Sequence, residues 1–355
     1  MMSADLFAAT FGDSPRVTQF TPGRVNILGE HTDYNGGTVL PMALDIGVSV
    51  SLSPRTDETF RVASKDFVGV VERGLDTKAD GHWSDYVVGA VVAANRAGLG
   101  SGGADVALSS TLPHGSGLSS SAAVCVGTLK ALRAVNGADM DDTEIAVLAR
   151  AVENDFIGVP CGIMDQMAVA VTEPGDVLAL DTRSLDYERI ALRNNHHIAV
   201  VHSGVVRKLN EGRYAERKRE CDRAKGRLGT DDLCHITDDQ LASLRDVSET
   251  VFRRARHCVT EEARTTAAVE ALRGSDMTKL GHLMNAGHAS IRDDFEITTP
   301  AVDALVADAV ELGALGARQT GGGFGGCIVA LVPDDRKAAW FDALRARHPA
   351  IRWVA

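Results

Sequence analysis

The sequence predicts an α+β fold, and three observations carry that expectation. Segments with strand character and segments with helical spacing are mixed along the 355 residues, but they do not alternate as clean βαβ units. Two glycine-rich runs, Leu112–Ala123 and Thr320–Cys327, stand beside such segments at widely separated points. The length also exceeds the roughly 100–200 residues of a common domain. We therefore read two lobes meeting near residues 182–195, with 1–188 as an N-terminal lobe and 189–355 as a C-terminal one.

Taken in order, Thr38–Ser53 is rich in β-branched residues and reads as a strand interrupted by Pro41. Ser84–Ala97 places Val87, Val91 and Ala94 on one helical face. Ala104–Ser109 alternates as a strand does. After a Gly/Ser loop, Ser119–Val135 reads as a helix through Val126, Leu129, Leu132 and Val135. Thr143–Phe156 is a further helix, and a strand is expected from Asn194 to Ser203. Charged helices follow at Glu211–Lys225, Val251–Leu272 and Asp276–Ile291. Pro300 opens a helix over Ala301–Leu312, Cys327–Val332 is an apolar strand, and Asp334–Arg347 is the last helix.

Apolar residues make up 45% of the chain and charged ones 24%, enough for a large core without staples. A net charge of -11 argues against a nucleic-acid backbone as partner. It does not exclude a small anion, because a nest of backbone N–H groups holds phosphate without net positive charge. Six scattered cysteines form no C-x-x-C pair, so reduced thiols in a cytoplasmic protein are expected rather than zinc or a disulfide framework. The N-terminus lacks the features of a signal peptide, and no apolar run is long enough to span a bilayer.

Two loops point to an anionic ligand. In Leu112–Ala123, LPHGSGLSSSAA, Gly115 and Gly117 permit backbone conformations that a Cβ obstructs. Ser119, Ser120 and Ser121 then fall at a helix N-terminus, where free N–H groups and the helix dipole favour negative charge. One hydroxyl could also ligate Mg²⁺. No G-K-[ST] follows, so this is not a Walker A loop. A plain capped helix after a turn is the alternative. In Thr320–Cys327, TGGGFGGC, five glycines in seven residues exceed the needs of a hairpin and suggest close backbone approach. A tight turn packed on a neighbouring strand is the competing reading.

Two further segments bring chemistry. Pro22–Gly37, PGRVNILGEHTDYNGG, gathers Arg24, Glu30, His31 and Asp33 among turn-forming glycines. The spacing suits no common metal motif. A solvated loop remains possible, but carboxylates and an imidazole suit the adjacent hydroxyls of a sugar. In Asn154–Met167, NDFIGVPCGIMDQM, Asp165 stands among Ile163, Met164 and Met167, where a carboxylate is costly to bury unless paired. A helix cap or a buried ion pair explains it equally. Glu153, just upstream, reads as a surface charge.

These residues together resemble the galactokinases of the GHMP kinase superfamily, which also holds homoserine, mevalonate and phosphomevalonate kinases. GRVNILGEHTDYNGG is similar to the galactokinase signature, LPHGSGLSSSAA to the ATP-phosphate loop and TGGGFGGC to the third motif of the superfamily. PCGIMDQ is similar to the segment bearing the catalytic aspartate, and RARHCVTEEARTTAA and SIRDDFEITTPAVD extend the likeness, which runs from about residue 15 to the C-terminus.

The resemblance implies a two-lobed GHMP kinase fold with the site in the cleft between lobes and a ferredoxin-like C-terminal lobe. It implies ATP-dependent phosphorylation of the C1 hydroxyl of α-D-galactose. Arg24 and Asp165 would form the catalytic pair, with Glu30, His31, Asp33, Gly162 and Tyr214 contacting sugar. Gly115, Ser116, Gly117, Leu118, Ser119, Ser120 and Ser121 would hold the ATP phosphates. Ser121 and Glu153 would ligate Mg²⁺, and Trp83 and Tyr86 would border the adenine unless they are packing residues. Small-molecule substrates, no nucleic acid, no membrane, and a monomer or weak homodimer complete the expectation. Val124 and Cys125 depart from a common Leu-Glu pair, and Gln319 stands where Met is common. Rival readings are a 1-kinase for N-acetylgalactosamine or L-arabinose, or a non-catalytic galactose sensor.

Overall fold

A computed structural model describes residues 2–100, 102–192, 195–205 and 211–355. The chain opens with helix α1 (Ser3–Phe11), then strands β1 (Val17–Asn26), β2 (Thr38–Val39), β3 (Pro41–Pro54), β4 (Thr59–Ser64) and β5 (Phe67–Gly74). Helix α2 (Asp85–Arg96) and strand β6 (Ala104–Ser110) lead to α3 (Ser120–Asn136) and α4 (Asp142–Ala151). A π-helical turn, Val152–Ile157, joins α4 to α5 (Met164–Val171). Strands β7 (Asp176–Asp181), β8 (Tyr187–Ala191) and β9 (His196–His202) follow, then α6 (Glu211–Leu228), α7 (Asp238–Ser243), α8 (Glu249–Arg273), α9 (Met277–Asp293) and α10 (Pro300–Glu311). The chain ends with β10 (Gly316–Gln319), β11 (Cys327–Pro333), α11 (Lys337–Arg347) and β12 (Arg352–Trp353).

Several helix ends are written in the sequence. Asp141 accepts from the Glu144 N–H and the Glu144 carboxylate accepts from Asp141 in return, a capping box that starts α4. Ser248 starts α8, and Thr299 before Pro300 starts α10, each hydroxyl accepting a first-turn N–H. Pro41 splits the expected strand into β2 and β3.

The contacts gather the chain into two units that do not follow a single cut. One comprises Met1–Arg24, Ala43–Leu112 and Ser119–Pro174; the other comprises Val25–Met42, Pro113–Leu118 and Gly175–Ala355. In the first, β6 pairs antiparallel with β3 (Val48↔Ser110 to Pro54↔Ala104) and parallel with β4 (Phe60↔Ala104 to Ser64↔Leu108), and β5 forms the edge. Helix α3 lies close on this sheet because Gly127 has no side chain; a Cβ there would come within 2.8 Å of the Thr21 hydroxyl and 3.0 Å of Val50. Helices α2, α4 and α5 pack around α3.

In the second unit β9 and β11 pair antiparallel from Cys327↔His202 to Pro333↔His196, with β10 and β12 outside them. Val201, Ile328 and Ala330 from this sheet and Val302, Leu305 and Trp340 from α10 and α11 share one core. A second core joins α6, α8 and α9 through Cys221, Phe252, Cys258 and Ile291, with Phe295 from just beyond α9. Short β2 pairs with β7, and β7 with β8.

Most of the expected elements are present, with shifted ends. The helix expected over Thr143–Phe156 is α4 as far as Ala151 and then widens into the π turn. Ser119 is not the first helical residue: its φ of 60° is left-handed. Asn194, where the sequence starts a strand, lies outside the described residues; the strand is described from His196. Periodicity does not reveal β1, β4, β5, β7 or β8. The half-exposed start and fully buried end of β1 mix two patterns in one strand. Among the described residues no helix is long and apolar enough to cross a membrane.

Candidate active site

In the first unit, Arg24 near the end of β1 meets Asp165 in the first turn of α5. The Arg24 Nε donates to Asp165 Oδ1 at 2.8 Å, and Nη2 lies 2.6 Å from the same oxygen. The other carboxylate oxygen accepts from the Ser119 hydroxyl at 2.6 Å. The Arg24 side chain is 5% exposed and that of Asp165 31%, so the guanidinium is enclosed while the carboxylate keeps an open side. Ser119 stands just before α3 but gives that helix no side-chain cap. Its hydroxyl is committed to Asp165 by a left-handed backbone, a conformation costly for a residue with a Cβ. The first-turn N–H groups of α3 therefore lack that cap and suit an anion.

Glu153 lies on the π turn and is buried, not on the surface as its sequence setting suggests. Its Oε1 accepts from Gln166 Nε2 at 2.8 Å, and the Ser121 hydroxyl bonds to the same carboxyl. Burial above all pushes its pKa up, to about 7; the bond from Gln166 opposes this, the charge of Asp165 adds to it, and Ser121 and Arg24 oppose it. A carboxylate ionised at such cost is one that a cation would relieve. Ser121 and Glu153 offer hard oxygen donors suited to Mg²⁺, which commonly combines one or two carboxylates with phosphate oxygens and water. Among the described residues no cluster of three or more His, Cys, Asp or Glu side chains is placed to hold a metal by itself. Gly162 is buried just ahead of α5, and Ser120 is exposed. Trp83 stacks on Phe67 with ring centres 4.7 Å apart and planes 3° from parallel. Tyr86 lies on the first turn of α2, and its carbonyl accepts from the Cys125 thiol at 3.6 Å.

In the second unit, Glu30 Oε1 accepts from the Gly321 N–H at 2.9 Å, so the glycine run Thr320–Cys327 grips the signature segment directly. His31 has a left-handed φ of 60°, and its Nδ1 is 2.8 Å from the Tyr34 hydroxyl. Its ring packs against Tyr214 and Phe295, with centres 5.2 Å and 4.7 Å away. Tyr214, far off in sequence on α6, thus lies beside His31. Gly29 turns the chain at φ 92°, and a Cβ there would fall 2.5 Å from the Thr38 carbonyl. Asp33 is half-buried. Gly115 and Gly117 have φ values of 69° and 74°, while the Ser116 hydroxyl donates to the Pro113 carbonyl at 2.7 Å and Leu118 is buried.

Sequence reasoning missed Gln166, Tyr34, Phe295 and Gly321 as neighbours of these groups. The first two lie inside quoted motifs, adjacent to Asp165 and Asp33, where the sequence offered a signal. Phe295 and Gly321 also lie inside quoted segments, SIRDDFEITTPAVD and TGGGFGGC, but only the fold brings them beside His31 and Glu30.

The chain is similar to known proteins over most of its length. Residues 5–54 match the Galactokinase galactose-binding signature, 85–173 the GHMP kinases N terminal domain and 268–350 the GHMP kinases C terminal family. The galactokinase of Actinobacillus pleuropneumoniae is 41% identical over 345 residues, 94% of this chain and 90% of that protein. The chain belongs to the galactokinase family. It is accordingly a phosphotransferase with the GHMP kinase fold. A galactokinase of Roseiflexus sp. is 39% identical over 92% of this chain and 86% of its own length. The crystal structure of Lactococcus lactis galactokinase complexed with galactose superimposes with a TM-score of 0.91 at 34% identity, covering 99% of this chain and 96% of that one. A mevalonate kinase from Methanococcus jannaschii, at 21% identity and a TM-score of 0.70, shares the fold. Two departures from the galactokinase pattern have structural places. Cys125 is buried against the Tyr86 carbonyl, and Gln319 is buried with its Nε2 donating to the Ile297 carbonyl at 3.1 Å.

Proposed function

We propose that the chain transfers the γ-phosphoryl group of ATP to the C1 hydroxyl of α-D-galactose, yielding galactose 1-phosphate and ADP, the first committed step of galactose breakdown. The observation that best supports this reading is the Arg24–Asp165–Ser119 arrangement. Asp165 has one oxygen on the Arg24 guanidinium, the other on a hydroxyl, and an open side. In this reading it accepts or orients the proton of the C1 hydroxyl, while the fixed cation of Arg24 balances the charge that develops on transfer. Ser119 restrains the rotation of the carboxylate. Glu30, His31, Asp33, Gly162 and Tyr214 hold the sugar. Gly115, Ser116, Gly117, Leu118, Ser119, Ser120 and Ser121 hold the phosphates through backbone N–H groups and hydroxyls, with Trp83 and Tyr86 beside the adenine.

Ser121 and Glu153 would hold Mg²⁺, which supplies charge screening for the triphosphate when bound. A cytoplasmic location belongs to the same reading.

Asp165→Asn is expected to keep galactose and ATP affinity in calorimetry and to lose at least about 10²-fold in kcat, the lower end of general-base effects. Near-normal turnover would remove Asp165 from the chemistry. An ADP-release assay across galactose, N-acetylgalactosamine and L-arabinose decides the sugar, with galactose expected to give the highest kcat/KM.

A further inference from the structure

The stretch RARHCVTEE on α8 has no part in the chemistry above, yet two of its side chains, His257 and Glu261, reach the backbone of the signature segment. They stand four residues apart and so share one face of the helix. Both are fully buried. The His257 Nε2 lies 2.9 Å from the Glu30 carbonyl oxygen and its Nδ1 2.9 Å from the Ser290 hydroxyl. Glu261 Oε1 accepts from the Gly29 N–H at 2.9 Å and from Arg318 Nη1 at 2.9 Å, and the same Nη1 donates to the Ile27 carbonyl at 3.1 Å. Three backbone groups between residues 27 and 30 are thus satisfied by side chains from α8 and β10.

We infer that His257 is a positioning residue for Glu30 and His31: its Nε2–H pins the peptide that joins them and so fixes how this pair meets the sugar. The inference rests on the reading that Glu30 and His31 hold the sugar. A carbonyl only accepts, so Nε2 carries the ring proton and Nδ1 accepts from Ser290. The tautomer is set at both ends of the ring. Burial above all lowers the pKa of His257 to about 4, so the ring is neutral at neutral pH.

The bonded carbonyl is the one that orients the peptide plane ahead of His31. That plane sets the His31 φ of 60°, a left-handed value that a residue with a Cβ keeps only when its surroundings hold it there. Release of the carbonyl lets the peptide turn and His31 leave the left-handed region. The same imidazole also packs on Phe295 at 4.6 Å, and Phe295 on His31 at 4.7 Å, so one ring supports both the backbone and the side chain of the pair.

The two nitrogens of His257 can be separated by substitution. The amide of a glutamine reaches the position of Nε2, and that of an asparagine the position of Nδ1. His257→Gln in the full-length enzyme is expected to keep the galactose KM within about threefold of wild type. His257→Asn is expected to raise it at least about tenfold, with the ATP KM within about twofold in both. Equal shifts of galactose KM in the two variants, or an ATP KM that moves as far, overturns the inference. Ser290→Ala, which frees the ring without altering it, should raise the galactose KM alone by a smaller factor. It decides the matter if the His257 variants do not fold, and an unchanged galactose KM there also overturns the inference. Glu30→Ala is the parallel control. If it leaves the galactose KM unchanged, the sugar assignment itself fails, whatever His257 does. If it raises the KM and His257→Asn does not, only the positioning role falls.

Discussion

Glu153 is a carboxyl group placed where ionisation is costly, and that gives it a measurable signature. Folded, it keeps its proton up to about pH 7; unfolded, only to about 4.5. The folded state therefore binds the extra proton between those values, and stability falls as pH rises through that window. The contribution is complete below about pH 4.5 and lost above about 7, and at roughly 1.4 kcal/mol per unit it amounts to at most about 3 kcal/mol. Glu153→Gln removes it. The substrate-free wild type in metal-free buffer should lose melting temperature between pH 5 and 7.5 relative to the variant, whose profile lacks this slope. Parallel profiles in the two proteins would show that the carboxyl is not strained. If Glu153 holds Mg²⁺ as proposed, the same logic makes binding of the ion release a proton below pH 7. Sequence reading could name Glu153 only through its resemblance to a family ligand. The residue reads as a surface charge because the burial comes from the wide turn, which spacing does not reveal.

That turn depends on how helices α2 and α4 pack. Gly89 lies inside α2, where glycine costs about 0.5–1 kcal/mol relative to alanine in an isolated helix. Propensity alone says that Gly89→Ala stabilises. A Cβ at this position would instead sit 2.6 Å from Phe156 Cδ1 and 2.8 Å from Val152 Cγ1, both on the π turn that carries Glu153. Overpacking of this kind commonly costs about 1–3 kcal/mol, which exceeds the gain. Gly89→Ala should therefore unfold at lower urea concentration than wild type, and, if the π turn holds Mg²⁺ as proposed, the Mg²⁺ requirement should rise more than the galactose KM. A variant as stable as wild type or more so would mean that propensity had won. Helices with a clear cap or a three-to-four spacing, such as α3, α8 and α10, could be read from the sequence within a few residues. The π turn could not, because Val152–Ile157 continues the same spacing with no glycine or proline until Gly158. Strand β5 could not either: its Val68 and Val70 are exposed at a sheet edge, where apolar residues do not mark a core.

Local periodicity shows where elements lie and says little about which of them belong together, and the division into units is where that matters most. A single cut at residue 188 assigns the signature segment to the first half of the fold, whereas Val25–Met42 is gathered with Gly175–Ala355. The ties are specific. Glu261 and Arg318, both 0% exposed, hold Gly29 and Ile27. The Thr38 N–H and hydroxyl donate to Glu262 at 2.6 Å and 2.8 Å, and Leu233 N–H donates to the Asn35 carbonyl at 3.0 Å. Thr320 exchanges two hydrogen bonds with the Asn26 backbone, both at 2.9 Å. In the sequence Arg318 is an ordinary basic residue between Ala317 and Gln319, and only its pairing with Glu261 across 57 positions reveals a buried charge. A fragment of residues 189–355 loses every one of these partners from the signature segment. Each buried polar group left without one costs about 1–3 kcal/mol, against a typical total stability of about 5–15 kcal/mol. The fragment is expected to show no cooperative transition in calorimetry and no near-ultraviolet circular dichroism from fixed aromatic rings. Adding residues 25–42 as a separate peptide should not restore either signal, because Pro113–Leu118 and Gly175–Glu188 are still missing from the unit. A sharp melt of the 189–355 fragment alone would mean that the signature segment is attached to an already complete unit rather than built into it.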